Sequence, residues 1–240
     1  MAEYSHVFEA SFESVQENGF ELRGKWNEWF GNSNPIVVEL GCGRGEYTVG
    51  LARRNPAVNY IGVDIKGARM HTGATEALQE GLKNVAFLRT RIEFIEKFFA
   101  PGEVSEVWIT FPDPQMKKPR KRLVGTLMLS RYRQFLSRQG LVHLKTDSPF
   151  LTTYTQAMLS ENAIVPQAAT SDLYADIEAG KLTDPALGIR TYYEQKWIAA
   201  GMTIKYFRFT LPQDIELKEP DIEIEEDNYH NVGRNVKFKE

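Results

Sequence analysis

The sequence predicts an α/β domain built on a mostly parallel sheet flanked by helices. Short runs of apolar, β-branched residues recur along the 240-residue chain, and stretches long enough for helices separate them. The first strong run, Ile36-Val37-Val38-Glu39-Leu40, feeds a glycine-rich turn that opens a helix. Sheets of this kind gather ligands at the carboxyl edge of their strands.

Taken in order, the first ~20 residues carry scattered aromatics (Tyr4, Phe8, Phe12, Phe20) and read as an extension lying on the main domain. The expected division is an extension over 1–34, the main domain over 35–212 and an acidic tail over 213–240. Strands are expected at 36–40, 58–63, 85–88, 104–111 and 141–144, with helices at 46–55, 66–81, 92–99 and 126–140. A further helical stretch covers 184–202, and 203–210 alternates as a late strand. Between Asp214 and Asp227 eight acids face one Lys218, which predicts a solvated or partly disordered tail. The Ile222/Ile224 alternation there admits an edge strand.

Composition sets the outer bounds. A hydrophobic content of 42% supports an ordinary core, and a net charge of −3 means that any nucleic-acid binding must come from a local basic patch. The single Cys42 excludes an internal disulfide and suits a reducing compartment. Met-Ala-Glu-Tyr-Ser-His lacks the charged-then-apolar pattern of a signal segment, and no apolar run reaches the ~20 residues of a membrane helix. The expectation is a soluble, cytoplasmic protein with no membrane partner. No His/Cys/Asp cluster has metal spacing, and no G-x-S-x-G elbow occurs.

The chemistry concentrates at four places. In Glu39-Leu40-Gly41-Cys42-Gly43-Arg44-Gly45-Glu46, glycines permit a left-handed turn and close approach of a ligand to the backbone. Glu46 stands where a dinucleotide fingerprint needs Gly, and an acid there repels a pyrophosphate, so the turn suits a cofactor without phosphates. Asp64 ends the second strand, where a carboxylate can accept two hydrogen bonds from a ribose diol. Together the two features resemble the S-adenosylmethionine site of class I methyltransferases. Asp113 follows the fourth strand, held between Pro112 and Pro114, and five cations follow it within six positions: Lys117, Lys118, Arg120, Lys121 and Arg122. Such a run next to an acid suits chemistry beside a polyanion, and RNA phosphates are the expected partners. Asp147 ends the fifth strand, and Thr191-Tyr192-Tyr193-Glu194-Gln195-Lys196 puts a hydroxyl, an aromatic face and a carboxylate within four positions. A base can stack on Tyr193 while Glu194 accepts from guanine N1–H and its amino group. Alone, this last segment reads as an amphipathic helix with Tyr193 in the core.

These residues resemble the bacterial tRNA (guanine-N7-)-methyltransferase family over about residues 20–210. Glu39 to Gly45 looks like its cofactor motif, Phe111-Pro112-Asp113-Pro114 with Lys117 and the basic run like its signature, and Thr191 to Lys196 like its T-x-F-E-x-R/K substrate motif. The resemblance implies a Rossmann-like class I methyltransferase fold with an antiparallel C-terminal strand. It implies Glu39, Gly41, Gly43, Asp64 and Asp113 at the cofactor, and Lys117, Asp147, Thr191, Tyr193 and Glu194 at the substrate. Two departures stand out. Gln115 occupies the place of the usual Trp, and Arg91 occupies a cofactor position where many members carry Asp. Arg91 cannot accept a hydrogen bond from an adenine amino group, which leaves backbone groups there, or Glu93, to do so.

The implied reaction transfers a methyl group from S-adenosylmethionine to N7 of a tRNA guanosine, that of the variable loop by resemblance. Asp113 is the expected catalytic charge stabiliser, and Lys118, Arg120, Lys121 and Arg122 the grip on the RNA backbone. Two other readings compete: a class I methyltransferase acting on a protein or small molecule, and a non-catalytic RNA-binding module with a vestigial cofactor site. A monomer and a homodimer are equally compatible with the sequence.

Overall fold

The computed structural model describes residues 4–227. Its centre is an eight-stranded sheet: β1 (Val7–Glu9), β2 (Ile36–Leu40), β3 (Asn59–Asp64), β4 (Val85–Arg89), β5 (Val104–Thr110), β6 (Leu136–Thr146), β7 (Ala168–Thr170) and β8 (Lys205–Thr210). The helices are α1 (Phe12–Asn18), α2 (Trp26–Phe30), α3 (Glu46–Arg54), α4 (Gly67–Gln79), α5 (Thr126–Tyr132), α6 (Pro149–Glu161), α7 (Leu173–Glu178) and α8 (Tyr192–Ala199). The strand order is β1-β4-β3-β2-β5-β6-β8-β7, parallel from β1 to β6, with β8 antiparallel to both of its neighbours. Every residue of β2 is buried, as a central parallel strand covered on both faces requires.

The order reverses between β2 and β5. From β2 the chain moves to β3 and β4 on one side, and β5 and β6 build the other. A crevice opens at the carboxyl ends of strands where such a reversal occurs. The glycine turn leaves β2 there, and the Asp113 loop leaves β5 beside it.

The first residues extend the sheet: β1 pairs parallel to β4. Trp26 is fully buried, stacked on Phe99 at 5.8 Å, with its indole N–H donated to the Phe98 carbonyl at 3.1 Å. Glu103 accepts the backbone N–H groups of Gly24, Trp26 and Ala100, which binds this segment to the loop before β5.

Three expectations need correction. The helix expected over 126–140 stops at Tyr132. The chain turns, Val104 donates to the Phe135 carbonyl, and β6 begins at Leu136, with a bulge before it regains register at Leu141. The helix expected over 184–202 is a short 3-10 turn, Pro185–Gly188, then α8, because the Thr191 side chain caps a new helix. The tail is largely solvated as expected but is pinned to the domain at a few points, and no strand forms at Ile222–Ile224. Leu217 is buried, and Asn162 clamps the Lys218 backbone, donating to its carbonyl and accepting its N–H. Glu219 accepts the Thr126 N–H at 3.2 Å and the Thr126 hydroxyl at 2.6 Å, capping α5, whose own N-cap Gly125 has no side chain to do so. Asp227 accepts the Ser148 hydroxyl and the Phe150 N–H at the start of α6. Acids of a highly charged tail therefore dock on helix N-termini, where the partial positive charge favours them. Residues 228–240 of the expected tail lie outside the described residues. Among the described residues no helix is long and apolar enough to cross a membrane.

Candidate active site

The turn after β2 is held open by its glycines. Gly41, Gly43 and Gly45 have φ of +80°, +56° and +77°, where a side chain is strained. Gly45 has a second reason, since a Cβ there would lie 2.7 Å from the Phe87 ring. The N–H groups of Gly41 and Cys42 both reach the Val63 carbonyl, tying the turn to β3. Asp64, at the end of β3, accepts the Gly43 N–H at 2.9 Å and the Lys66 N–H at 2.8 Å. Glu39 is buried beneath the turn. One of its oxygens accepts the Thr48 hydroxyl and the other the Thr110 hydroxyl at 2.6 Å, while burial pushes its carboxyl above the ordinary range. The same burial raises the Cys42 thiol well above its ordinary value, so this cysteine is a packing residue of the turn.

Two clefts open at this edge, and the Asp64–Gly43 hydrogen bond joins their walls. The first, about 540 Å³, is lined by Asp64, Arg91, Glu93, Asp113, Gln115 and Lys121, with Ile92 and Met128 supplying apolar surface. The second, about 390 Å³, is lined by Glu39, Gly41, Gly43, Glu46, Thr191 and Tyr193. The expected cofactor residues divide between the two clefts, Asp64, Arg91 and Asp113 in one and Glu39, Gly41 and Gly43 in the other. Arg91 and Glu93 form a loose pair at 3.9 Å, so an acid does stand in this wall next to the arginine. Asp113 is exposed, and one of its oxygens accepts the Gln115 N–H at 2.9 Å.

The basic run divides. Lys117, Lys118, Arg120 and Lys121 are exposed, with Lys121 on the wall of the first cleft. Lys117 meets Glu226 of the tail at 3.4 Å. Arg122 points the other way, contrary to its expected phosphate contact. It is only 5% exposed, it donates to the carbonyls of Pro114, Gln115 and Met116, and its guanidinium lies 4.2 Å over the Tyr154 ring. It packs against the protein and has no exposed face for RNA.

Glu194 also departs from its expected role. The carboxylate expected to read guanine is fully buried. It pairs with Lys145 at 2.8 Å, accepts the Tyr174 hydroxyl at 2.5 Å, and takes the Thr191 N–H at 3.2 Å. With the Glu194 N–H donated to the Thr191 hydroxyl, this is a capping box, and T-x-x-E before a helix was its signal in the sequence. Lys145, which sequence reasoning passed over, is equally buried; it also donates to the carbonyls of Leu187 and Ile189 and lies over the Tyr47, Phe111 and Tyr174 rings. Desolvation lowers its pKa, and the Glu194 charge opposes that shift.

Tyr193 is 52% exposed on the wall of the second cleft, so it is the aromatic face of the segment and not a core residue. Tyr192 lies beside it at 5.7 Å between rings, with Arg44 over its face at 6.0 Å. Glu46 accepts the Tyr192 N–H at 3.3 Å, a link between the glycine turn and α8 that the sequence did not reveal. Asp147 is buried, with Oδ1 lacking a hydrogen-bond partner, and burial raises its carboxyl to about 6. Asp147, Lys117 and Glu194 line neither cleft. Among the described residues no group of His, Cys, Asp or Glu is arranged to hold a metal ion.

Residues 33–207 match a family model described as a putative methyltransferase. The chain is 59% identical over 235 residues to a tRNA (guanine-N(7)-)-methyltransferase of Bacteroides fragilis, covering 98% of this chain and 92% of that one. It is 57% identical over 238 residues to a tRNA (guanine-N(7)-)-methyltransferase of Porphyromonas gingivalis, covering 98% and 96%. Among solved structures, a 16S rRNA methyltransferase superposes with a TM-score of 0.59 at 13% identity over 78% of this chain and 93% of that one, a likeness of fold alone.

Proposed function

The chain belongs to the tRNA (guanine-N(7)-)-methyltransferase family, and from that premise we propose that it transfers a methyl group from S-adenosylmethionine to N7 of a tRNA guanosine. The observation that carries the reading is a juxtaposition at the strand-order reversal: the glycine turn, Asp64 and Asp113 share one edge with Lys117, Lys118, Arg120 and Lys121.

The residues fit the cofactor. A Cβ built on Gly41 meets nothing within 4 Å, so the turn borders open space that a side chain would fill. Asp64 keeps lone pairs beyond the two N–H groups it accepts, enough for a ribose diol. Bound there, S-adenosylmethionine supplies an electrophilic methyl group on a positively charged sulfur.

The protein's own task follows from the chemistry of guanine N7. That nitrogen has a free lone pair, so no proton leaves before attack and no general base is needed at the nucleophile. The base gains positive charge as the bond forms. Asp113 is the carboxylate assigned to face that charge, a preorganised contribution of about 3–4 kcal/mol. Holding the reactants in line contributes up to ~7–11 kcal/mol more. The exposed Tyr193 ring offers a stacking face, whereas Asp147, buried and outside both clefts, presents no oxygen to the base. Glu194, with Lys145 beneath it, holds the Thr191 segment in place and does not touch the base.

On this reading residues 35–212 are the catalytic unit, the described part of the 1–34 extension packs on it, and the protein works in the cytoplasm with tRNA as its partner. The alternatives of a protein or small-molecule substrate give no role to four exposed cations beside the site. Asp113→Ala tests the assignment: turnover should fall roughly 10²–10³-fold, with tRNA binding retained. Turnover within twofold of the parent would refute it.

A further inference from the structure

The Asp113 loop is bracketed by backbone that ordinary residues avoid. Phe111 has φ +51° and Gln115 has φ +49°, one on each side of Pro112-Asp113-Pro114. Non-glycine residues stay in the left-handed region only where their surroundings over-determine them. The Gln115 N–H to Asp113 bond lies within the loop and cannot fix it to the body of the protein.

Arg122 does that. Its Nε donates to the Pro114 carbonyl at 3.1 Å, and its Nη2 donates to those of Gln115 at 3.3 Å and Met116 at 3.1 Å. All three carbonyls belong to the residues immediately after Asp113. The guanidinium is sandwiched against α6, 4.2 Å from the Tyr154 ring centre and 5.0 Å from that of Phe150. Tyr154 in turn donates its hydroxyl at 2.8 Å to Glu219, which also caps α5. A continuous set of contacts runs from the acidic tail, through Tyr154 and Arg122, to the loop that carries the acid.

We propose that Arg122 is a positioning residue for Asp113, and that Glu219 is the outer anchor of the same brace. The tail is then part of what holds the active-site loop. The inference rests on the reading of Asp113 given above. Arginine is specific to this place because a planar fork can serve three carbonyls while its face stacks on a ring, which an ammonium cannot do.

The test uses the full chain, unmodified tRNA and S-adenosylmethionine, with kcat, tRNA Kd and its salt dependence measured for each variant. Arg122→Ala should lower kcat about 10²-fold, the effect of a displacement near 1 Å at a reacting group. Its tRNA Kd and salt slope should stay within about twofold of the parent, because Arg122 touches no phosphate. Arg122→Lys should recover only a minor part of kcat, while millimolar guanidinium should restore some activity to Arg122→Ala. Glu219→Ala should lower kcat several-fold in the parent and add nothing in the Arg122→Ala background, since the brace is already broken. Normal kcat in Arg122→Ala, or a weaker Kd with a shallower salt slope, would overturn the proposal. Should Arg122→Ala not fold, Glu219→Ala and Tyr154→Phe leave the loop's own contacts in place, and parental kcat in both overturns it. Asp113→Ala, assayed alongside, separates the two readings. If it stays active the role of Asp113 fails, and if it is inactive while Arg122→Ala is normal only the brace fails.

Discussion

Asp147 lies buried at the end of β6 with one oxygen unpartnered, and burial pushes its carboxyl from the ordinary 3.8 up to about 6. The folded protein therefore holds this proton more tightly than the unfolded chain does, and stability falls as pH rises from about 4 to about 6. Above that window the cost is complete, on the order of 3 kcal/mol. Asp147→Asn should raise the thermal midpoint at pH 8 and leave it nearly unchanged at pH 4. An equal effect at both pH values would contradict the burial argument. A second residue-scale prediction concerns the wall of the first cleft. Glu93→Ala should weaken binding of S-adenosylhomocysteine by roughly 10-fold or more, the worth of a hydrogen bond to a charged acceptor, and Arg91→Ala by far less. Calorimetric titration distinguishes them. At this scale the sequence placed Asp64, Asp113 and the glycine turn at strand ends, where position alone implies access to a ligand, and the structure puts all three at the sheet's carboxyl edge. It misled at Arg122 and Glu194, because charge predicts solvent exposure and both charges are satisfied from within the protein.

The helix–strand junction at β6 and α8 is held by an ion pair with no access to water. Lys145→Met would leave the Glu194 carboxylate buried and unpaired, at a cost of about 3–5 kcal/mol in urea unfolding. Adding Glu194→Leu should recover most of that loss, since an apolar pair of similar volume avoids the desolvation penalty. A double variant as unstable as the single one would show that the pair matters for more than charge balance. Among the elements, β2 to β5 were legible because central parallel strands are continuous apolar runs. The first half of β6 was not, since Ser137, Arg138 and Gln139 carry no alternation that separates a strand from a helix. α6 went unread although Ser148 and Pro149 supply its N-cap and first position, a start signal that composition alone does not weigh.

At the scale of the molecule, the net charge of −3 hides a division of surfaces. Of four exposed cations in one loop, Lys117, Lys118, Arg120 and Lys121, the last lines the first cleft, and the acidic tail reaches the loop through the Lys117–Glu226 contact. If all four meet phosphates, tRNA affinity should fall roughly 10²-fold between 50 and 200 mM salt, and a fluorescence-anisotropy titration gives the slope. A slope near zero would remove the basic run from the interface. The sequence predicted the sheet and the carboxyl edge where its motifs gather, because these follow from apolar periodicity and strand ends. It did not predict the docked tail, whose contacts join carboxylates to distant helix N-termini and leave no local pattern. The central claim is methyl transfer to guanine N7. Its most direct test incubates the purified protein with unmodified tRNA and S-adenosylmethionine, then digests the RNA and analyses its nucleosides by mass. The account predicts 7-methylguanosine in the parent and little in Asp113→Ala. Its absence from the parent digest, or methylation at another atom, would contradict the account.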